Sequence, residues 1–217
     1  MANTIFTEEA FDMLLKIRLD GGTSSFFANN KEHFIQAVTE PLKSLAEQLE
    51  PTIKSINGNI NAKPSRVVSR PYRDARYNHG KSPIRDYMYI FYKHELKKND
   101  PLRIHIRITP EGIRFGMGIM QVPSFMKEEH KRILAHPAKF LNIIDNIKPN
   151  RPFTLYEELY KKPPLQSSDE RIMEWLYRKN FWYISSVSIT ETLSGDLVEI
   201  ISSNIKQYGD LFNFLLQ

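Results

Sequence analysis

A chain of 217 residues with 30 Lys/Arg, 25 Asp/Glu and 41% hydrophobic residues is long enough to bury about 70% of the surface that its extended form exposes. The absence of cysteine excludes disulfides, thiol nucleophiles and cysteine-based zinc sites. No apolar run approaches the roughly 18–20 residues that cross a bilayer, and the first ten residues hold two carboxylates but no Lys or Arg, unlike a secretory signal, so the expectation is a soluble cytoplasmic protein with no membrane partner.

Phe6, Ala10, Phe11, Leu14, Leu15 and Ile17 recur near helical spacing, with Thr7 as a candidate cap and Asp20-Gly21-Gly22 as the stop. A second helical stretch runs from Thr23 or Ser24 through Phe27, Phe34 and Val38, and Pro41 opens a third carrying Leu42, Leu45, Leu49 and Ile53. After the turn signal Asn57-Gly58-Asn59 the period changes from about 3.6 to 2. Strand candidates are Val67 to Tyr72, Arg85 to Tyr92, Leu102 to Thr109 and Ile113 to Met120. In the third, Ile104, Ile106 and Ile108 alternate with Arg103, His105 and Arg107, which turns one face to the core and the other to water or a ligand. Thr109-Pro110-Glu111-Gly112 supplies the turn of a hairpin.

Helical periodicity returns near Pro123 or Ser124 with Phe125, Ile133 and Leu134, and again from Phe140 to Ile147. Pro149 to Pro164 is the least regular segment and reads as a long loop or a boundary. Ser167 with Glu170 fits a capping box ahead of Ile172, Met173, Trp175 and Leu176, and a final helical series runs from Leu197 to Leu215. Because neither the helical start nor the strand region covers its own apolar face, residues 1–217 read as a single α+β domain. Its mainly antiparallel central sheet packs against helices from both the N- and C-terminal regions.

Charge is concentrated between Lys63 and Arg107, where twelve Lys/Arg face four acids, a net +8 within a chain of net +5. Such a region can attract phosphates or carboxylates over a Debye length of about 8 Å; it reads equally as a solvated sheet face, on which long basic side chains lay their stems along apolar surface and keep the charge in water. Glycine-rich phosphate loops, HExxH, GxSxG, dinucleotide fingerprints and calcium loops are all missing. Glu128, Glu129, His130 and His136 lack the spacing that converges three or four ligands on a metal. No cofactor is expected.

The densest chemistry lies in Arg70-Pro71-Tyr72-Arg73-Asp74-Ala75-Arg76-Tyr77-Asn78-His79-Gly80-Lys81-Ser82-Pro83-Ile84-Arg85. Guanidiniums offer planar forks to carboxylate or phosphate, and Lys adds a mobile charge. Asp74, between Arg73 and Arg76, reads as a brace that fixes both forks or as a base that they hold ionised; two flanking cations favour the brace. His79 has no neighbour that must orient it. Gly80, Ser82 and Pro83 describe a rigid bend able to present backbone N–H groups to an anion.

These residues resemble the core signature of the bacterial and fungal family catalogued as domain of unknown function 2461, whose pattern is R-x-Y/F-R-D-x-R-F followed by D-K-S-P-Y-K. Arg70 to Tyr77 and Lys81-Ser82-Pro83 carry the match. Fainter echoes occur at Phe26-Phe27, Asn30-Lys31, Lys162-Pro163-Pro164 and Arg178-Lys179-Asn180-Phe181, so the resemblance spans Phe6 to Leu216. The chain departs from the pattern at Ser24-Ser25, where Arg-Glu is common, at Gly80 in place of Asp, and at Ile84 in place of Tyr. The resemblance implies an α+β architecture and a role for Arg73, Asp74, Arg76, Lys81 and Ser82, and it names no substrate.

The functional expectation is a noncatalytic module that binds an anionic small molecule, or an acidic group of a protein partner, through Arg73, Asp74, Arg76, Lys81, Ser82 and Arg85. A competing reading is a hydrolase or transferase of an anionic metabolite with Asp74 or His79 moving protons. Nucleic acid is the weakest partner reading: Tyr72, Tyr77, Tyr87, Tyr89 and Tyr92 lie near the cations, but the sequence has no recognition helix or paired aromatic sheet motif.

Overall fold

A computed structural model describes residues 4–74, 76, 80, 82–96, 101–119 and 123–216, with the Pro123 side chain left aside. Five strands form one antiparallel sheet in the order β1-β2-β3-β5-β4. They are β1 (Met88–Tyr92), β2 (Leu102–Thr109), β3 (Gly112–Ile119), β4 (Thr154–Leu159) and β5 (Arg178–Ser188). The α+β class, the antiparallel sheet and the helices contributed from both ends agree with the sequence expectation. Among the described residues no helix is long and apolar enough to cross a membrane.

One sheet face is closed by a core. Met88, Ile90 and Tyr92 of β1, Ile104, Ile106 and Ile108 of β2, and Ile113, Phe115 and Met117 of β3 are buried together with helical residues from both ends. From the N-terminal side come α1 (Glu8–Leu19) and α4 (Glu40–Ile56), and from the C-terminal side α10 (Leu197–Ile205) and α11 (Gly209–Leu216). Polar contacts tie the two groups of helices. Thr52 donates to the Ser202 hydroxyl at 3.0 Å, and Asn213 donates at 2.9 Å to the Ile56 carbonyl, one of the acceptors that the end of α4 leaves unsatisfied. Ahead of α4, residues Ile35–Thr39 wind as a π-helix, an adjustment that suits Pro41, which has no N–H to donate back into the turn before it.

Three local expectations change, and one strand is added. Residues 67–72 form no strand: Pro64–Val67 is a single helical turn, and only the isolated bridges Val68↔Ile90 and Tyr72↔Ile84 follow. The irregular proline-rich segment contains β4, an edge strand whose burial shows no alternation and whose Glu157 and Glu158 are exposed. The strand β5 had no sequence signal because Phe181, Trp182, Tyr183 and Ile184 are apolar on both faces and Ser185 and Ser186 polar on both. The cap of the helix Glu170–Leu176 is Asp169, whose carboxylate accepts from Arg171 and Ile172 N–H, while the capping box occurs at Ser188 and Glu191. Met120 lies outside the described residues.

Backbone approach at the centre of the sheet requires glycine. A Cβ at Gly116 would overlap the Tyr183 carbonyl oxygen of β5, whereas one at Gly58 would meet nothing within 4 Å. Gly116→Ala is therefore expected to destabilise the fold by about 1–3 kcal/mol, read as a lower urea midpoint, with Gly58→Ala as the control that shifts little. Equal midpoints for the two variants would show that the strands relax apart without cost.

Candidate functional site

The other face of the sheet is not sealed. Opposite the core, β2 presents Arg103, His105 and Arg107, and its register sets Arg107 directly across from Arg114, His105 across from Gly116 and Arg103 across from Gly118. The next strand brings Trp182 opposite Gly118 and Ile184 opposite Gly116. The glycines add no side chain to this floor, and a Cβ at Gly118 would come within 2.5 Å of the Trp182 ring. On the far side of β2, Tyr89 and Phe91 of β1 stack at 4.2 Å between centroids, with Tyr87 6.5 Å from Tyr89. Together with Arg85 these groups bound a cleft of about 380 Å³, at the lower end of the range for small-molecule sites.

Arginines and rings interleave at one end of this cleft. The Arg107 guanidinium lies 3.7 Å over the Tyr87 ring, and Arg73 approaches the same ring at 5.5 Å. Arg85 lies 5.2 Å from the Tyr89 centroid and donates to the Arg70 carbonyl. Such contacts hold the forks in place. The carboxylate nearest this group, Asp86, pairs with Arg18 of α1 at 2.6 Å and with Arg73 at 3.8 Å. Arg18 also binds Glu111 in the hairpin turn, so the acids are used behind the cleft. None lines it among the described residues.

The cleft also alters protonation. Burial first, and the charge of Arg107 second, push the His105 imidazole down to about 3. It is 7% exposed, meets Trp182 edge-on at 4.8 Å, and its Nδ1 has no hydrogen-bond partner among the described residues. Burial likewise lowers the Arg107 guanidinium, with Arg114 adding to the effect. The Arg107 Nε is also buried without a hydrogen-bond partner among the described residues.

The loop residues separate into three groups. Arg73 and Arg85 join the rings at the cleft. Asp74 and Arg76 pair with each other at 2.6 Å on the exposed surface, and the hydrogen bonds from Arg76 hold the Asp74 carboxyl down to about 2. Asp74 thus braces Arg76, while the carboxylate beside Arg73 is Asp86; the expected three-residue brace is split. Ser82 donates to the Ile84 carbonyl at 3.0 Å, beside the turn that follows α1, where Ile84 N–H reaches the Gly22 carbonyl at 3.1 Å. The ends of the loop are joined by Arg73 N–H to Pro83 and Arg85 N–H to Pro71. Lys81 and His79 lie outside the described residues. Elsewhere Glu128 pairs with Lys131 and Glu129 with Arg132.

The signature residues agree with the comparison to known families, in which the model for conserved hypothetical proteins DUF2461 matches residues 15–214. The chain belongs to the DUF2461 family. No curated protein matches it. The DUF2461 signature segment therefore supplies Arg73 and Arg85 to the rim of the cleft, while its floor comes from β2, β3 and β5. In sequence, the Arg103/His105/Arg107 alternation marks that face of β2, whereas Arg114 and Trp182 carry no local signal that joins them to it.

Two outcomes test this arrangement. Asp86→Ala, which takes an ion-pair partner from both Arg18 and Arg73, is expected to cost about 1 kcal/mol in denaturant melts, the upper end for pairs that water reaches, while Asp74→Ala leaves the midpoint unchanged because both members of its pair are more exposed; the reverse order would place the structural brace at Asp74. For His105, an unfolded imidazole takes its proton near 6.5 and the folded one near 3. The unfolded state then binds more protons in between, and stability is lost as pH falls through that window. From pH 6.5 to 5, above the range in which the acids titrate, His105→Gln should flatten the fall by up to about 1.4 kcal/mol per pH unit. An unchanged slope would mean that the imidazole is solvated.

Proposed function

We propose that the protein is a noncatalytic receptor for an anionic small molecule, held in the sheet-face cleft with the anion between Arg107 and Arg114. The carrying observation is the direct cross-strand pairing of these two arginines in a cleft lined by no carboxylate among the described residues. Like charges placed opposite each other on a sheet are destabilising, and a bound carboxylate or phosphate relieves that repulsion while using both forks. Arg85 adds a third guanidinium, and the rings exclude water. The acidic group of a protein partner would satisfy the same forks, but a cleft of this volume suits a small ligand.

Proton-transfer equipment is poor. An imidazole held near 3 and a carboxylate held near 2 are both weak bases at neutral pH, which favours recognition over the hydrolase or transferase reading. The row Tyr87, Tyr89 and Phe91 on an open sheet face supports single-stranded nucleic acid as a second reading, since any base can stack on such rings. A cytoplasmic setting fits a cysteine-free chain.

Thermal shift and calorimetry at physiological salt, using phosphate, pyrophosphate, aliphatic acids, aromatic acids and a single-stranded oligonucleotide, decide among these readings. Arg107→Met and Arg114→Met are each expected to weaken the small anion that binds best by at least about tenfold, near 1.4 kcal/mol, with Arg76→Ala inert. Loss on Arg76→Ala alone would return the site to the loop. Tight oligonucleotide binding with a steep salt dependence and no saturable small anion would replace the receptor reading.

A further inference from the structure

Two buried nitrogens on residues that line the cleft, Arg107 Nε and His105 Nδ1, have no hydrogen-bond partner among the described residues, and the separation of these two residues constrains what can fill it. Arg107 and His105 are two residues apart on the same face of β2, so at a rise of about 3.4 Å per residue their backbone positions are roughly 7 Å apart. At one position an anion meets the Arg107 and Arg114 forks. At the other, the His105 Nδ1 is buried without a hydrogen-bond partner among the described residues, a state that persists at a cost unless something supplies the bond. A neutral imidazole has one nitrogen that donates and one that accepts. The space between is bordered by flat surfaces: the stacked Tyr89 and Phe91 on one strand and Trp182 on another. Gly116, across from His105, leaves that end of the floor without a side chain.

We propose that the cleft is built for a planar aromatic or heteroaromatic acid whose ring carries a hydroxyl or N–H at the end remote from its anionic group. Arg107 and Arg114 take the carboxylate or phosphate, Tyr89, Phe91 and Trp182 border the ring, and His105 pairs the remote polar group. This rests on the receptor reading above and adds the ligand class. An aliphatic anion would satisfy the forks and leave His105 unpaired; an unsubstituted aromatic acid would close the cleft and still leave the same nitrogen without a partner. His105 is therefore the residue that sets specificity.

The test uses the full chain and calorimetry with 4-hydroxybenzoate, benzoate, 4-hydroxybenzyl alcohol, 4-hydroxyphenyl phosphate and inorganic phosphate. A 4-hydroxy acid is expected to bind at least about tenfold more tightly than benzoate, because a site that pairs a hydroxyl rejects the analogue lacking it; the alcohol, without the anion, should bind weakly. The two 4-hydroxy acids report whether the forks prefer carboxylate or phosphate. His105→Phe keeps a flat ring and removes the hydrogen bond, so it should bring the ratio of the 4-hydroxybenzoate and benzoate affinities down to about one. Should that variant fail to fold, the ring-nitrogen NMR shifts of His105 in the wild-type protein serve instead, moving with 4-hydroxybenzoate and staying fixed with benzoate. Equal affinities for the two benzoates, or static His105 nitrogens, overturn the ligand class while Arg107-dependent anion binding leaves the receptor reading intact. Absence of any Arg107-dependent anion binding overturns both.

Discussion

Because successive side chains of a strand leave opposite faces, the isoleucines that seat β2 on the helices oblige Arg103, His105 and Arg107 to share the other face. Ile104, Ile106 and Ile108 are fully buried, and a slip of one residue would drive two arginines and a histidine into the core. The register with β3 then follows, and it sets Arg107 against Arg114 and His105 against Gly116. The core and the cleft are two readings of the same alternation.

That constraint explains why unfavourable electrostatics persist. Two guanidiniums opposite each other on a sheet repel, and burial lowers the proton affinity of Arg107. Part of the cost is offset by the Tyr87 face, against which Arg107 lies at 3.7 Å. Asp86, although engaged by Arg18 and Arg73, adds a smaller attraction from behind the cleft. Through Arg18 and Glu111 the same ion-pair chain links α1 to the β2–β3 turn. The carboxylates thus serve the scaffold and leave the cleft positively charged, an arrangement that suits anion capture better than proton transfer.

Close strand packing supplies the remaining shape. Gly116 and Gly118 let β5 approach so near that a Cβ at either would meet backbone oxygen. Trp182 and His105 then meet edge to face over the floor. Loops contribute the rim, and their conformation is held by backbone pairing between Tyr72 and Ile84 and by the contact of Ile84 with the Gly22 carbonyl. The cleft side chains from β2, β3 and β5 consequently stand on the most regular part of the molecule, where rotamers are restrained by neighbours on both sides.

The amino-acid sequence by itself determined the α+β class, the helices at both ends, the β2–β3 hairpin and the polar face of β2, because each depends on local period or turn chemistry that neighbours in sequence decide. The DUF2461 signature was equally legible, being a string of residue types. Tertiary structure alone decided that β5 lies between β3 and β4, since a segment apolar on both faces and then polar on both has no period to read. It alone separated Arg73 from Asp74, adjacent in sequence yet paired with different partners, Asp86 and Arg76. It also brought Arg114, Trp182 and Arg85 to one cleft from three separate segments. Contacts between residues tens of positions apart are set by how strands pair and helices pack, and no local pattern encodes which distant group will stand opposite.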